Sequence, residues 1–95
     1  MNSSSWFVIV NPASGSGKTR SRWKKIKHEL IEAGIRFEFG LTQYSGEEAS
    51  LAASAVTKGF QKIIVVGGDG TMQKVVSGVY SQGKVSPKNI LKHLL

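Results

Sequence analysis

The stretch Ile63-Ile64-Val65-Val66-Gly67-Gly68-Asp69-Gly70-Thr71 decides the fold. Its four aliphatic residues, unbroken by a polar one, predict a strand buried on both faces, the pattern of a parallel sheet covered by helices. The strand runs straight into glycines, and an apolar-periodic segment with Met72, Val75, Val76 and Val79 predicts a helix immediately afterwards, ending near Gln82-Gly83. Gly67, Gly68 and Gly70 leave no side chain to hold a ligand off the backbone and tolerate positive φ. Their amides, together with the positive end of the following helix, favour a phosphate group. A carboxylate at Asp69 would repel phosphate, so it suits Mg²⁺ or a substrate hydroxyl instead. The plainer alternative is a tight strand-to-helix turn with Asp69 as a helix cap.

The same alternation of element types extends towards the amino terminus. Trp6-Phe7-Val8-Ile9-Val10 is a second continuous apolar run, stopped by the turn signal Asn11-Pro12. Ala13 to Gly17 is a loop of small residues with Ser16 placed to cap a helix over Gly17 to Ala33. Trp23, Ile26, Leu30 and Ala33 recur at helical spacing and form its buried stripe, and Gly34 stands at the C′ position. Ile35 to Leu41 alternates Ile35, Phe37 and Phe39 with Arg36 and Glu38, the pattern of an edge strand with one wetter face. After the loop Thr42 to Gly46, a helix opens on Glu47 and Glu48, packs through Ala49, Ala52, Ala53 and Val56, and closes at Gly59.

The resulting β-α-β-α-β-α series predicts an α/β fold, an open parallel sheet in three layers with helices on both faces. Right-handed crossovers give strand order 2-1-3. That order makes the first and third strands neighbours, with a ligand crevice at their carboxyl ends where the order reverses. Residues 1–5 are expected to be disordered, 6–83 to form the domain, and 84–95 to be a tail. In that tail Ser86-Pro87 can start a helix with Ile90, Leu91, Leu94 and Leu95 on its apolar side. Leu91-Lys92-His93-Leu94-Leu95 also spells a helix-in-groove docking string of the sort that arises by chance in amphipathic ends.

Composition narrows the function classes. Ninety-five residues form one small domain that buries roughly 60–70% of its unfolded surface. Without cysteine, neither a disulfide framework nor a thiolate metal site is available, and His28 and His93 are far apart in the chain. The run Trp6 to Val10 is too short for a membrane span or signal core, so a cytoplasmic chain is expected. Lys and Arg outnumber Asp and Glu by 13 to 6, a net charge of +7. Lys18, Arg20, Arg22, Lys24, Lys25 and Lys27 crowd together, which suits a nucleotide, an anionic membrane surface or nucleic acid, or is simply the solvated face of a helix. A nucleic-acid module built on this run and Trp23 is disfavoured, because the spacing of Trp23 to Ile26 and Leu30 assigns the indole to the core.

Two familiar phosphate motifs fail. Gly17-Lys18-Thr19 resembles the end of a Walker A sequence, but the required first glycine is Pro12. A Rossmann fingerprint through Gly15 and Gly17 would require a small residue where Arg20 stands. A small-residue loop between strand and helix still binds phosphate through its amides, with Lys18 on the first helical turn as a counter-charge.

Asn11-Pro12-Ala13-Ser14-Gly15 after the first strand, Thr42-x-Tyr44-x-Gly46-Glu47-x-Ala49 after the second and Gly67-Gly68-Asp69-Gly70-Thr71 after the third resemble the diacylglycerol kinase catalytic domain. Bacterial lipid kinases, sphingosine kinases and ceramide kinases belong to that group. The Gly-Gly-Asp-Gly-Thr element is shared with NAD kinases, whereas the Asn11 motif points to the lipid kinases. The resemblance spans Trp6 to about Tyr80. It implies that Asn11, Pro12, Ala13, Ser14, Gly15, Thr42, Gly67, Gly68, Gly70 and Thr71 line an ATP site, and that Asp69 stands near Mg²⁺ or the transferred phosphate. The implied reaction moves the ATP γ-phosphoryl group to a lipid hydroxyl, by positioning and charge neutralisation.

Two departures accompany the resemblance. Lys74 stands where the family usually carries Glu. The family's later Gly-Thr-Gly-Asn-Asp segment, its β-rich lipid-binding domain and the acid taken as general base have no counterpart here. The expectation is an amino-terminal piece of a kinase, inactive alone, peripheral at a membrane if it meets one, and prone to self-association through an open edge of its third strand.

Overall fold

A computed structural model describes residues 5–44, 46–80 and 89–93 of the chain, with residues 16, 69 and 89–93 described by their backbone. The elements run β1 (Trp6–Val10), a 3-10 turn (Ser14–Gly17), α1 (Lys18–Glu32), β2 (Phe37–Leu41), α2 (Glu47–Thr57), β3 (Lys62–Val66), α3 (Asp69–Tyr80) and β4 (Asn89–His93). All pairings are parallel, in the order β2-β1-β3-β4. The expected 2-1-3 arrangement is therefore present, with one further strand beside it.

Alternation along the two central strands explains both layers of the core. Phe7, Ile9, Ile63 and Val65 face α2 and α3, where Ala52, Ala55, Phe60, Val75 and Val79 complete a buried cluster. Val8, Val10 and Val66 point the other way, against Trp23, Ile26 and Leu30 of α1. β1 and β3 are thus covered on both sides, which is why their sequences carry no polar alternation. β2 is an edge: Phe39 remains 42% exposed, although its ring lies 5.2 Å from that of Trp23 and the Lys27 ammonium stands 5.0 Å from it.

Helix ends follow local chemistry. Gly34 (φ 72°) and Gly59 (φ 96°) hold the left-handed conformation after α1 and α2. The amides of Ile35 and Phe60 then reach back to the Leu30 and Ala55 carbonyls, satisfying groups the helices would leave unpaired.

Several boundaries differ from the sequence expectation. Gly17 (φ 87°), not Ser16, is the residue before α1, and no side chain caps that end. The 3-10 turn delays the helix by one residue and forces a left-handed backbone that glycine adopts without strain. β2 begins at Phe37, because the chain at Gly34 and Ile35 is still occupied with closing α1. On α2 the fully buried residues are Glu48, Ala52 and Ala55; of the expected inner face Ala52 is among them, Val56 packs against the same core and Ala49 lies against Gly78 of α3, while Glu48 and Ala55 were not expected there.

The tail departs most. Asn89–His93 is a strand in register with β3, Lys62 opposite Asn89 and Val66 opposite His93, so the helix and docking-string readings fail. Pairing with the apolar edge of β3 outweighs the local helical pattern of these residues. It also covers the edge through which self-association was expected. Leu94, Leu95 and the expected end of α3 at Gln82-Gly83 lie outside the described residues, as does the expected disordered start apart from Ser5. No helix among the described residues is long and apolar enough to cross a membrane.

Candidate nucleotide site

The carboxyl ends of the three sequence-predicted strands lie level: Val10 pairs with Leu41 on one side and Val66 on the other. The next backbone bonds continue the ladder, from the Asn11 amide to the Val66 carbonyl (3.0 Å) and from the Thr42 amide to the Val10 carbonyl (2.8 Å). Asn11, Thr42 and Gly67 therefore leave the sheet side by side, as strand order alone requires.

Asn11 ties the three loops together. Its side-chain amide donates to the Glu48 carboxylate (Oε2, 3.2 Å) and to Thr71 Oγ1 (3.3 Å). Its Oδ1 accepts from the Ala13 amide (3.1 Å), and its carbonyl accepts from the Ser14 amide and hydroxyl. That turn pins the loop so the small residues behind it fold into the 3-10 turn. Ser14 then shares a 2.7 Å hydrogen bond with the buried Thr19 hydroxyl, fastening the loop to the first turn of α1.

Glu48 is 1% exposed, a carboxylate inside the protein. Burying a charge is expensive unless donors surround it. Here the Asn11 amide reaches one oxygen, the Gly46 amide reaches the other (3.0 Å), and the positive end of α2 lies at its base. Glu47 turns outwards to accept from the Gln43 amide (2.6 Å). By sequence the two acids are alike, charges at a helix start. The signal that separates them is spacing: Glu48 precedes Ala52 by four and Ala55 by seven, on the apolar stripe.

These groups border a cleft of about 330 Å³ lined by Asn11, Ala13, Thr42, Gln43, Tyr44, Glu48 and Lys74. Such a volume lies at the low end of the roughly 300–1,000 Å³ typical of small-molecule sites. Thr71 is buried and joins the cleft wall through Asn11. Gln43 and Glu48 are lining residues that no motif marks, and Tyr44, part of the motif after the second strand, lines the cleft as well. Lys74, the residue at which the sequence departs from the resemblance, faces this cleft.

The glycines act differently from one another. None of Gly67, Gly68 and Gly70 uses the positive φ that glycine tolerates. A Cβ at Gly67 would come within 2.8 Å of Thr71 Oγ1, so this glycine is required for close approach to Thr71. Added Cβ atoms at Gly68 and Gly70 would meet no protein atom within 4 Å. Asp69 is the first residue of α3, and Gly70 and Thr71 complete the start of that helix. Lys18, in contrast, lines a separate open depression with Ser21, Arg22 and Lys25 on α1. The structure thus gathers Asn11, Ala13, Thr42 and Thr71 at one place and sets Lys18 apart from the cleft lining.

Among the described residues no three His, Asp or Glu side chains cluster as a metal cage. Magnesium seldom uses one. It keeps several waters and takes one or two carboxylates plus substrate phosphates. The Glu48 carboxylate at the cleft matches that kind of donor set.

The diacylglycerol kinase catalytic domain model matches residues 5–91. YtlR of Bacillus subtilis is 38% identical over 79 residues, covering 80% of this chain and 26% of that protein. A diacylglycerol kinase of Staphylococcus carnosus is 29% identical over 77 residues, covering 81% of this chain and 25% of the enzyme. The human mitochondrial acylglycerol kinase is 36% identical over 73 residues, covering 76% of this chain and 17% of that protein. The chain spans about a quarter or less of these curated relatives. With the family model matched across nearly its whole length, the chain belongs to the diacylglycerol kinase catalytic domain family.

Proposed function

We propose that this chain is the ATP-binding part of a lipid kinase, which transfers the γ-phosphoryl group of ATP to a lipid hydroxyl. The observation that carries the proposal is the Asn11 amide, bonded at once to Glu48 and Thr71 beside a cleft at the sheet's switch point. Open parallel sheets bind their ligands at such points. Backbone amides at the start of α3 offer phosphate a positive end free of obstructing side chains at Gly68 and Gly70.

In this arrangement Asn11 and Thr71 hold the cleft wall in one geometry, Thr42 and Tyr44 border the nucleotide, and Asp69 is the first residue of the helix that follows β3. Bound Mg²⁺ would neutralise developing charge on the phosphates. Glu48 and Asp69 are the acids of this chain that would hold it. The acceptor alcohol is a glycerolipid or sphingoid lipid, and the names of the family and of the relatives support the glycerolipid. The chain spans a quarter or so of those relatives at most, and nucleotide binding is the part of the reaction that its cleft supports.

The test is a substitution that preserves shape. Asp69→Asn, placed in a longer polypeptide that carries this domain and phosphorylates lipid, should lower turnover by at least about 100-fold while the fold survives, as expected when a group acts on transition-state charge. Near-normal turnover in the folded variant would reduce Asp69 to a helix cap.

A second reading rests on the depression lined by Lys18, Ser21, Arg22 and Lys25, where three cations border one open surface. It supports contact with an anionic membrane surface, alongside rather than instead of nucleotide binding. Contact of that origin weakens steeply as salt rises.

A further inference from the structure

Lys74 shares the cleft with Asn11, Thr42 and the buried Glu48. It follows Thr71 by three residues on α3, so both side chains stand on one side of that helix. Thr71 is anchored to Asn11 there, which fixes the face Lys74 occupies. The cleft lining therefore sets a lysine beside the Asn11 amide and the Glu48 carboxylate, one helical turn beyond Thr71.

A lysine so placed bears on how phosphate charge is met. A nucleoside diphosphate or triphosphate entering the cleft brings several negative charges towards the Glu48 carboxylate. Unless a cation intervenes, the like charges repel. Divalent metal can intervene, and so can an ammonium group, which acts on phosphate as a point charge. Resting on the nucleotide reading above, we propose that Lys74 is a phosphate-binding residue of this cleft and lets it hold nucleotide with little dependence on Mg²⁺. Lys74 thereby sets the metal requirement of the binding step, separate from whatever metal the phosphoryl transfer uses.

ADP is the probe, titrated calorimetrically into the whole chain in Mg²⁺ and again in EDTA. Wild type is expected to change its Kd by less than about threefold between the two conditions. Lys74→Met should bind at least about tenfold more weakly in EDTA, a difference of about 1.4 kcal/mol, and recover most of the loss when Mg²⁺ is added. Lys74→Glu should bind in Mg²⁺ alone. Circular dichroism and melting of each variant establish that the fold persists, and Lys74→Arg, which keeps the charge, should retain binding in EDTA. Wild-type binding that disappears on chelation, or Lys74→Met binding like wild type in EDTA, overturns the role of Lys74 while leaving the nucleotide site in place. Absence of ADP binding in both conditions overturns the nucleotide reading itself, and this proposal with it.

Discussion

At the residue scale, the glycines after β3 divide into two kinds. Gly67→Ala would press its methyl carbon against Thr71 Oγ1 at 2.8 Å and Thr71 Cβ at 3.0 Å. Relief requires moving Thr71 and breaking its bond to Asn11. Overpacking of this sort costs about 1–3 kcal/mol, measurable as an earlier urea midpoint. Gly70→Ala should do the reverse. It lies in the first turn of α3 with open space around the added methyl, and a helical alanine is favoured by roughly 0.5–1 kcal/mol over glycine. The same methyl would project where phosphate approaches the amides, so the stabilised variant should bind ADP more weakly. Equal urea midpoints for the two variants would contradict this division.

Glu48 carries the lesson of sequence reading at this scale. Asn11, Thr42 and Thr71 were legible because their motifs follow strands whose order is fixed by the apolar runs. Glu48 was not, since an acid at a helix start is ordinarily a solvated partner for the helix dipole. Its burial depends on the exact rotation of α2 against the sheet. Glu48 lies on the same buried face of α2 as Ala52 and Ala55.

At the element scale, the crossing of α2 and α3 rests on Gly78. A Cβ there would overlap the Ala49 carbonyl and come within 2.8 Å of the Ala49 Cα. Both atoms belong to backbone, so no side-chain rotation relieves the clash. Gly78→Ala should force the helices apart, costing at least about 1–3 kcal/mol and loosening the seat of Glu48. A variant with an unchanged melting temperature would show that the crossing has room to spare.

β4 shows where element-level inference failed. Ile90, Leu91, Leu94 and Leu95 satisfy a helical pattern, but short apolar runs satisfy strand and helix patterns alike. The deciding factor was nonlocal: the edge of β3 offered a ladder, with Ile63 opposite Ile90 and Ile64 opposite Leu91. Removing residues 89–95 should therefore expose the β3 edge, lower the melting temperature and produce concentration-dependent association, seen by light scattering. A truncated chain that remains monomeric with unchanged stability would show that β4 contributes nothing to the sheet.

At the scale of the whole molecule, three loops distant in sequence become one site because strand order 2-1-3 places β1 between β2 and β3. The order follows from apolar runs and crossover handedness, so the neighbourhood of the Asn11 and Gly67 loops was deducible before any contact was known. What lines the cleft between them was less so, because Gln43, Tyr44 and Lys74 reach it through helix rotation and loop course. The basic surface of α1 offers the competing explanation for any polyanion binding. Amide chemical shifts on adding ADP and Mg²⁺ to the isotope-labelled chain discriminate between the two most directly. Perturbations are expected at Asn11–Gly15, Thr42–Tyr44 and Gly67–Thr71 together, saturating with one nucleotide per chain. Perturbations confined to Arg20–Lys27 and abolished by moderate salt would contradict nucleotide binding at the cleft.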